Sequence, residues 1–219
     1  MTMDLPQLSL LGTTALLFEA PGETSLTTQR RIWALALEAG LLPGVREAVP
    51  GMNNLMITFA EPPRHRGQLE HRLIELWHTV EPLPAAGRCL DLPVVYGGDG
   101  GPHMADVVAH TGLSVDDIVA IHSAPTYTVY ALGSHPGYCY LGGMDQRIAT
   151  PRRKVPVLRI PRGAVSIGGS QTGVSASDGP SGWNTIGSTE VAFFDVERTP
   201  PALLQPGDCI RFKTIRVLR

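Results

Sequence analysis

Gly133-Ser134-His135-Pro136-Gly137-Tyr138-Cys139-Tyr140-Leu141-Gly142-Gly143 opens the stretch on which the reading of this chain turns. It continues through Thr150-Pro151-Arg152-Arg153, Ile160-Pro161-Arg162-Gly163 and Gly168-Gly169-Ser170-Gln171-Thr172-Gly173, and it closes with Gly179-Pro180-Ser181-Gly182-Trp183-Asn184. Glycine permits close backbone approach and proline fixes turns. A flexible linker would share the glycine and proline but not the tyrosines, the tryptophan and the short β runs between them. The turns either join hairpins of an all-β domain or form the walls of a pocket. The polar and aromatic residues beside the glycines favour the pocket.

Around this stretch the chain reads as short strands: Tyr127–Leu132, Val155–Ile160, Ala164–Ile167, Glu190–Phe194, Cys209–Phe212 and Ile215–Leu218. Such spacing predicts a closed or nearly closed barrel. Leu92–Tyr96 is a further strand. Between it and Tyr127 lie two short helices with a tight turn, Ser114 and Asp117 forming a capping box at the second. This has the outline of a helix-turn-helix. Its second helix opens with Asp116 and Asp117 and carries no Lys or Arg, so it is not expected to read DNA.

The N-terminal part has a different pattern. Ala15–Phe18 and Val45–Val49 read as strands, and Leu55, Ile57 and Phe59 alternate on a third. Leu26, Trp33 and Leu37 are spaced for a helix ending at Gly40, with Arg30 and Arg31 on its wet side. Leu69, Leu73, Leu76, Trp77 and Val80 mark a second helix. With a strand in Gln7–Leu11 the order is ββαββα, an antiparallel sheet with two helices on one face. Glu81-Pro82-Leu83-Pro84-Ala85-Ala86-Gly87 marks the boundary. The fold class expected is therefore an α+β module, residues 1–85, followed by an all-β barrel with a two-helix insert, residues 86–219.

The chain has 219 residues, 43% hydrophobic and 17% charged, with a formal charge of -2. It is rich enough in apolar residues for a core and has too little positive charge overall for nucleic acid. Three separated cysteines argue against a disulfide framework and fit a reducing cytoplasm. Met1–Leu11 lacks Lys and Arg and is not expected to be a secretory leader, and no apolar run suits a membrane span. There is no G-x-x-x-x-G-K-[ST], no G-x-G-x-x-G, no H-E-x-x-H and no G-x-S-x-G. Nucleotide, zinc and serine-hydrolase motifs are therefore absent, and no metal is expected.

The pocket candidates are His122, Ser123, Tyr130, His135, Pro136, Gly137, Tyr138, Tyr140, Gln171, Thr172, Gly173, Trp183 and Asn184. His122 is either an imidazole stabilised by the helix dipole or a polar anchor at the pocket rim. Gln171 and Thr172 either hydrogen-bond an amide or carboxylate or cap their turn, Trp183 either forms an apolar floor or plugs the barrel end, and Arg152 and Arg153 are either solvated turn arginines, the commoner case, or a carboxylate clamp. Cys139 alternates with Tyr138 and Tyr140 and is read as a core residue. No residue is singled out as catalytic.

The ordered set Tyr96-Gly97-Gly98, Gly101-Pro102, Gly112-Leu113-Ser114, His122-Ser123, Pro136-Gly137, Tyr140-Leu141-Gly142-Gly143, Thr150-Pro151-Arg152, Gln171-Thr172-Gly173, Gly182-Trp183 and Gly207-Asp208, with Pro50-Gly51-Met52-Asn53-Asn54, resembles the 5-oxoprolinase B-subunit family. That family also holds KipI and proteins called allophanate hydrolase subunit 1. The resemblance implies a cyclophilin-like barrel, with an A-subunit plus a larger C-subunit for partners. Together they would open 5-oxo-L-proline to L-glutamate with ATP, in the cytoplasm. It also leaves open a KipI-like inhibitor of a sensor histidine kinase, or a part in urea or allophanate breakdown. The cyclophilin likeness is of fold only, and isomerase activity does not come with it. The chain departs from the family at His103, Tyr138, Val157, Val174-Ser175-Ala176 and Ser181.

Overall fold

The computed structural model describes residues 5–219, so the reading of Met1–Leu11 falls partly outside it. The chain divides into two compact units, residues 1–85 and 86–219.

The first unit runs β1 (Gln7–Leu10), β2 (Ala15–Glu19), α1 (Leu26–Gly40), β3 (Val45–Pro50), β4 (Asn54–Phe59) and α2 (Arg66–Thr79). Its strands form one antiparallel sheet in the order β1-β2-β4-β3. Alternation in β2 and β4 buries Leu16, Phe18, Leu55, Ile57 and Phe59 together with Ile32, Leu35, Leu73, Leu76 and Trp77. The face of α1 differs from the one expected. Leu37 is 61% exposed and Leu26 is at the surface, because the continuous run Ile32–Leu35 supplies the buried stripe. Arg30 and Arg31 are not simply wet either. Arg30 Nε donates to the Leu83 carbonyl, and Arg31 lies 5.2 Å from the centre of the Trp77 ring.

The second unit contains β5 (Cys89–Gly97), α3 (Met104–Thr111), α4 (Val115–Ser123), β6 (Tyr127–Leu132), β7 (Cys139–Gly142), β8 (Val157–Ile160), β9 (Ala164–Gly168), β10 (Gln171–Val174), β11 (Gly179–Ser181), β12 (Asn184–Ser188) and β13 (Cys209–Leu218). Seven strands close a barrel in the order β10-β7-β6-β13-β5-β12-β9. Its seam is the parallel pair β5–β13, which joins the unit's first and last strands. β8 and β11 form a separate two-stranded ribbon. Ser114 and Asp117 form a complete capping box at α4.

Three readings of the sequence need correction. Glu190–Phe194 is a loop held by a single bridge, Phe194 to Ala202, and its hydrophobicity reflects Phe193, buried to 1% exposure in the barrel core. The two final strands are one, β13, with a register shift between Thr214 and Arg216. Cys89 and Cys209 form a disulfide, although an unpaired set was expected. They are 120 residues apart in sequence but register partners across the seam, with Cα atoms 4.4 Å apart. Sequence distance concealed a pairing that strand closure creates.

Candidate functional site

The glycine-rich stretch does fold around a cavity, of about 240 Å³. Its polar wall comes from Ser134, His135, Ser166, Ser175, Ser181 and Arg152, and its aromatic wall from Tyr138, Tyr140 and Trp183. Local geometry explains why glycines stand beside it. A Cβ on Gly173 would lie 2.6 Å from Tyr138 Oη, and one on Gly168 would run into the Trp183 indole. Gly169, at φ +64°, and Ser170 make the two-residue turn of the β9–β10 hairpin.

The side chains hold one another in place. Tyr138 stands edge-on to both Tyr140 and Trp183, with ring centres 5.1 and 6.2 Å apart. Arg152 lies over the Trp183 ring at 5.7 Å. His135 packs on Tyr138, and its Nε2 accepts from the Ala176 amide at 3.2 Å. An accepting Nε2 requires the neutral ring, and burial lowers the His135 pKa in the same sense. Burial, and then Tyr140, raise the Tyr138 pKa, which keeps its hydroxyl protonated near neutrality. The site therefore offers one cation, several neutral hydroxyls and flat apolar faces. That set suits a small anionic ligand with a polar ring.

Of the residues singled out in the sequence, His135, Tyr138, Tyr140, Arg152, Gly173 and Trp183 line this cavity. The others do not. His122 is fully buried inside the barrel, so neither reading of it holds. Thr172 Oγ1 donates to the Ser166 carbonyl at 3.0 Å, so His122 Nε2–H donates to Thr172 Oγ1 at 2.8 Å. Nδ1 is then left to accept from the Tyr96 hydroxyl at 2.7 Å. Desolvation pushes the His122 pKa down to about 3, so the ring is neutral and has no cation to offer the helix dipole. Ser123 Oγ donates back to the Val119 carbonyl within α4.

Tyr130 is buried against Gly142. Pro136 and Gly137 shape the turn beside Phe193 and Phe194. Gln171 begins β10, and Asn184 Nδ2 donates to the Pro151 and Ile167 carbonyls at 2.9 and 3.3 Å. Arg153 pairs with Asp106 rather than clamping a ligand. Cys139 is a core residue, its thiol pushed up to about 12 by burial.

The sequence reading missed the serines. Ser166 and Ser175 belong to the β9–β10 region and Ser181 to β11. Ser166 falls on a strand the sequence does show, but nothing there marks it as facing a cavity, and Ser175 and Ser181 sit at the ends of β10 and β11, which their glycines disguise as turns.

The family model described as "Carboxyltransferase domain, subdomain C and D" matches residues 6–204. Among curated relatives, the 5-oxoprolinase B-subunit of Escherichia coli O157:H7 is 44% identical over 203 residues, 93% of each chain. The protein of the same name from Haemophilus influenzae is 37% identical, covering 92% of this chain and 94% of its own. Among solved structures, TTHA0988 superposes with a TM-score of 0.75 at 32% identity, over 91% of this chain. This chain spans only 39% of that one. The urea carboxylase of Kluyveromyces lactis has a TM-score of 0.77 at 18% identity, over 96% of this chain and 22% of its own, a likeness of fold alone.

Proposed function

This chain belongs to the carboxyltransferase domain C and D family and, within it, to the 5-oxoprolinase B-subunit proteins, and from that membership we propose that it is the substrate-holding subunit of an ATP-dependent 5-oxoprolinase. Its barrel, of the cyclophilin-like kind, and its ββαββα module are taken as separately folding domains. An A-subunit plus a larger C-subunit complete the enzyme. The cytoplasm is the proposed compartment, where the Cys89–Cys209 pair has to form against a reducing pool.

The observation that carries this reading is the cavity in which Arg152 lies over Trp183, with Tyr138 and His135 in the same lining. A five-membered lactam acid has a carboxylate for Arg152, a ring for the aromatic faces, and a carbonyl and N–H for the serine hydroxyls. Its hydrolysis breaks the ring C–N bond. One water supplies an oxygen to the new carboxylate, the nitrogen leaves as the amine of glutamate, and a second water is consumed as ATP gives ADP and phosphate. A lactam is a poor electrophile, so ATP is needed to activate its carbonyl oxygen. This chain contributes binding and orientation; it carries no phosphate-binding loop motif, so the ATP site is noncanonical, shared with a partner or on one.

The test is glutamate release from 5-oxoproline by the chain mixed with its two partners. Turnover should require this chain and should fall with Arg152→Ala and with Trp183→Ala. Equal turnover by the partners without the chain refutes the assignment.

A further inference from the structure

Arg152-Arg153-Lys154-Val155-Pro156-Val157-Leu158-Arg159-Ile160-Pro161-Arg162 carries five cations and no acid, in a chain of net charge -2. It leads into and through β8, which pairs only with β11 and stands outside the closed barrel. Arg153 is neutralised by Asp106 and Arg159 by Asp178. Among the described residues, the side chains of Lys154 and Arg162 make no ion pair. The same segment holds Leu158, 89% exposed, and Val155, 76% exposed. Ile160 lines the cavity, and alternation along β8 puts Leu158 on the same side of the ribbon, past the rim. An apolar, half-paired ribbon at the mouth of a cavity invites a covering strand. Its charge sets the sign of that strand. Two copies of so basic a segment repel each other, whereas an acidic segment is drawn in. In TTHA0988 this fold is 39% of a longer chain, so the module does occur with further polypeptide attached.

We propose that β8 and its flanking cations are the docking edge for an acidic strand or loop of the larger C-subunit, laid along Leu158 so as to close the cavity over Arg152. The identity of the partner rests on the function proposed above, while the choice of edge does not. Binding then has two parts, burial of Leu158 and Val155 and a salt-sensitive attraction to Lys154 and Arg162.

The experiment is titration of the purified C-subunit onto the full chain at low and high salt, with Leu158→Asp and with the double variant Lys154→Glu, Arg162→Glu. All three positions lie outside the cavity and the core, so the thermal midpoints should match the parent. Each variant should weaken binding about tenfold or more, and the charge variant should also flatten the salt dependence. Parent-like affinity in both variants overturns the docking edge and leaves the function standing. Failure of the parent chain to bind the C-subunit overturns its place in the enzyme, and the edge with it. Tight binding of a single-stranded oligonucleotide, abolished by the charge variant, also overturns the edge, since the patch would then serve a nucleic acid.

Discussion

His122 is an imidazole kept neutral in the barrel core, and acid should expose the cost. Burial holds its pKa at about 3, against an ordinary 6.5. The folded value is depressed, so between those limits the unfolded chain binds a proton that the folded chain refuses. Stability is full above pH 6.5 and declines as the pH falls toward 3. Each pH unit in that window costs about 1.4 kcal/mol, so about 2 kcal/mol is lost by pH 5 and on the order of 5 kcal/mol across the window. Urea unfolding of the parent and of His122→Gln at pH 7 and pH 5 measures it. The glutamine keeps a donor for Thr172 and does not titrate, so its deficit relative to the parent should shrink by about 2 kcal/mol between the two pH values. Every other titrating group, His103 and His135 included, cancels in the difference. Parallel pH curves, or titration near 6.5 of the one imidazole resonance that disappears in His122→Gln, would refute the buried network.

Gly173→Ala places a methyl against Tyr138 Oη and should lower lactam turnover with little change in secondary structure, read by the glutamate assay and circular dichroism. Asp208 Oδ1 accepts from the Arg88 amide and Oδ2 from the Gln205 amide, at 3.0 and 2.9 Å. Asp208→Ala orphans both donors and should cost roughly 2–4 kcal/mol in denaturant unfolding. The Cys89–Cys209 bridge closes a loop of 120 residues, worth about 4–5 kcal/mol in the chain-entropy account. Dithiothreitol should lower the melting midpoint of the parent and leave that of Cys89→Ser unmoved. Cys139, buried to 2% exposure, should resist alkylation until the chain unfolds.

The regular elements of the first unit were legible because period and burial agree there, as in the alternation of Leu55, Ile57 and Phe59 and in the Leu73, Leu76, Trp77 stripe. Helix α1 misled because four consecutive residues, Ile32 to Leu35, are all buried, which blurs the stripe. In the barrel, β10 and β12 escaped notice because each contains a glycine that its close neighbours require, and glycine reads as a turn. The location of the cavity was visible in the aromatic and glycine clustering, but half of its wall was not. A lone serine at a strand end or on a barrel strand has no signature of its own, and His122 reads as a helix-end imidazole or a rim anchor until its two barrel partners, Tyr96 and Thr172, are placed beside it.

The β5–β13 seam also bears on how the protein is made. Cys209–Leu218 is the stave that completes the ring, and it pairs with a strand synthesised more than a hundred residues earlier. During translation the other staves emerge with an open gap and two bare edges, a state that favours association with other nascent chains. Any stop codon or ribosomal stall before Cys209 would release a ring that cannot shut. A bulky fusion placed after Leu218 would tax assembly at the same joint.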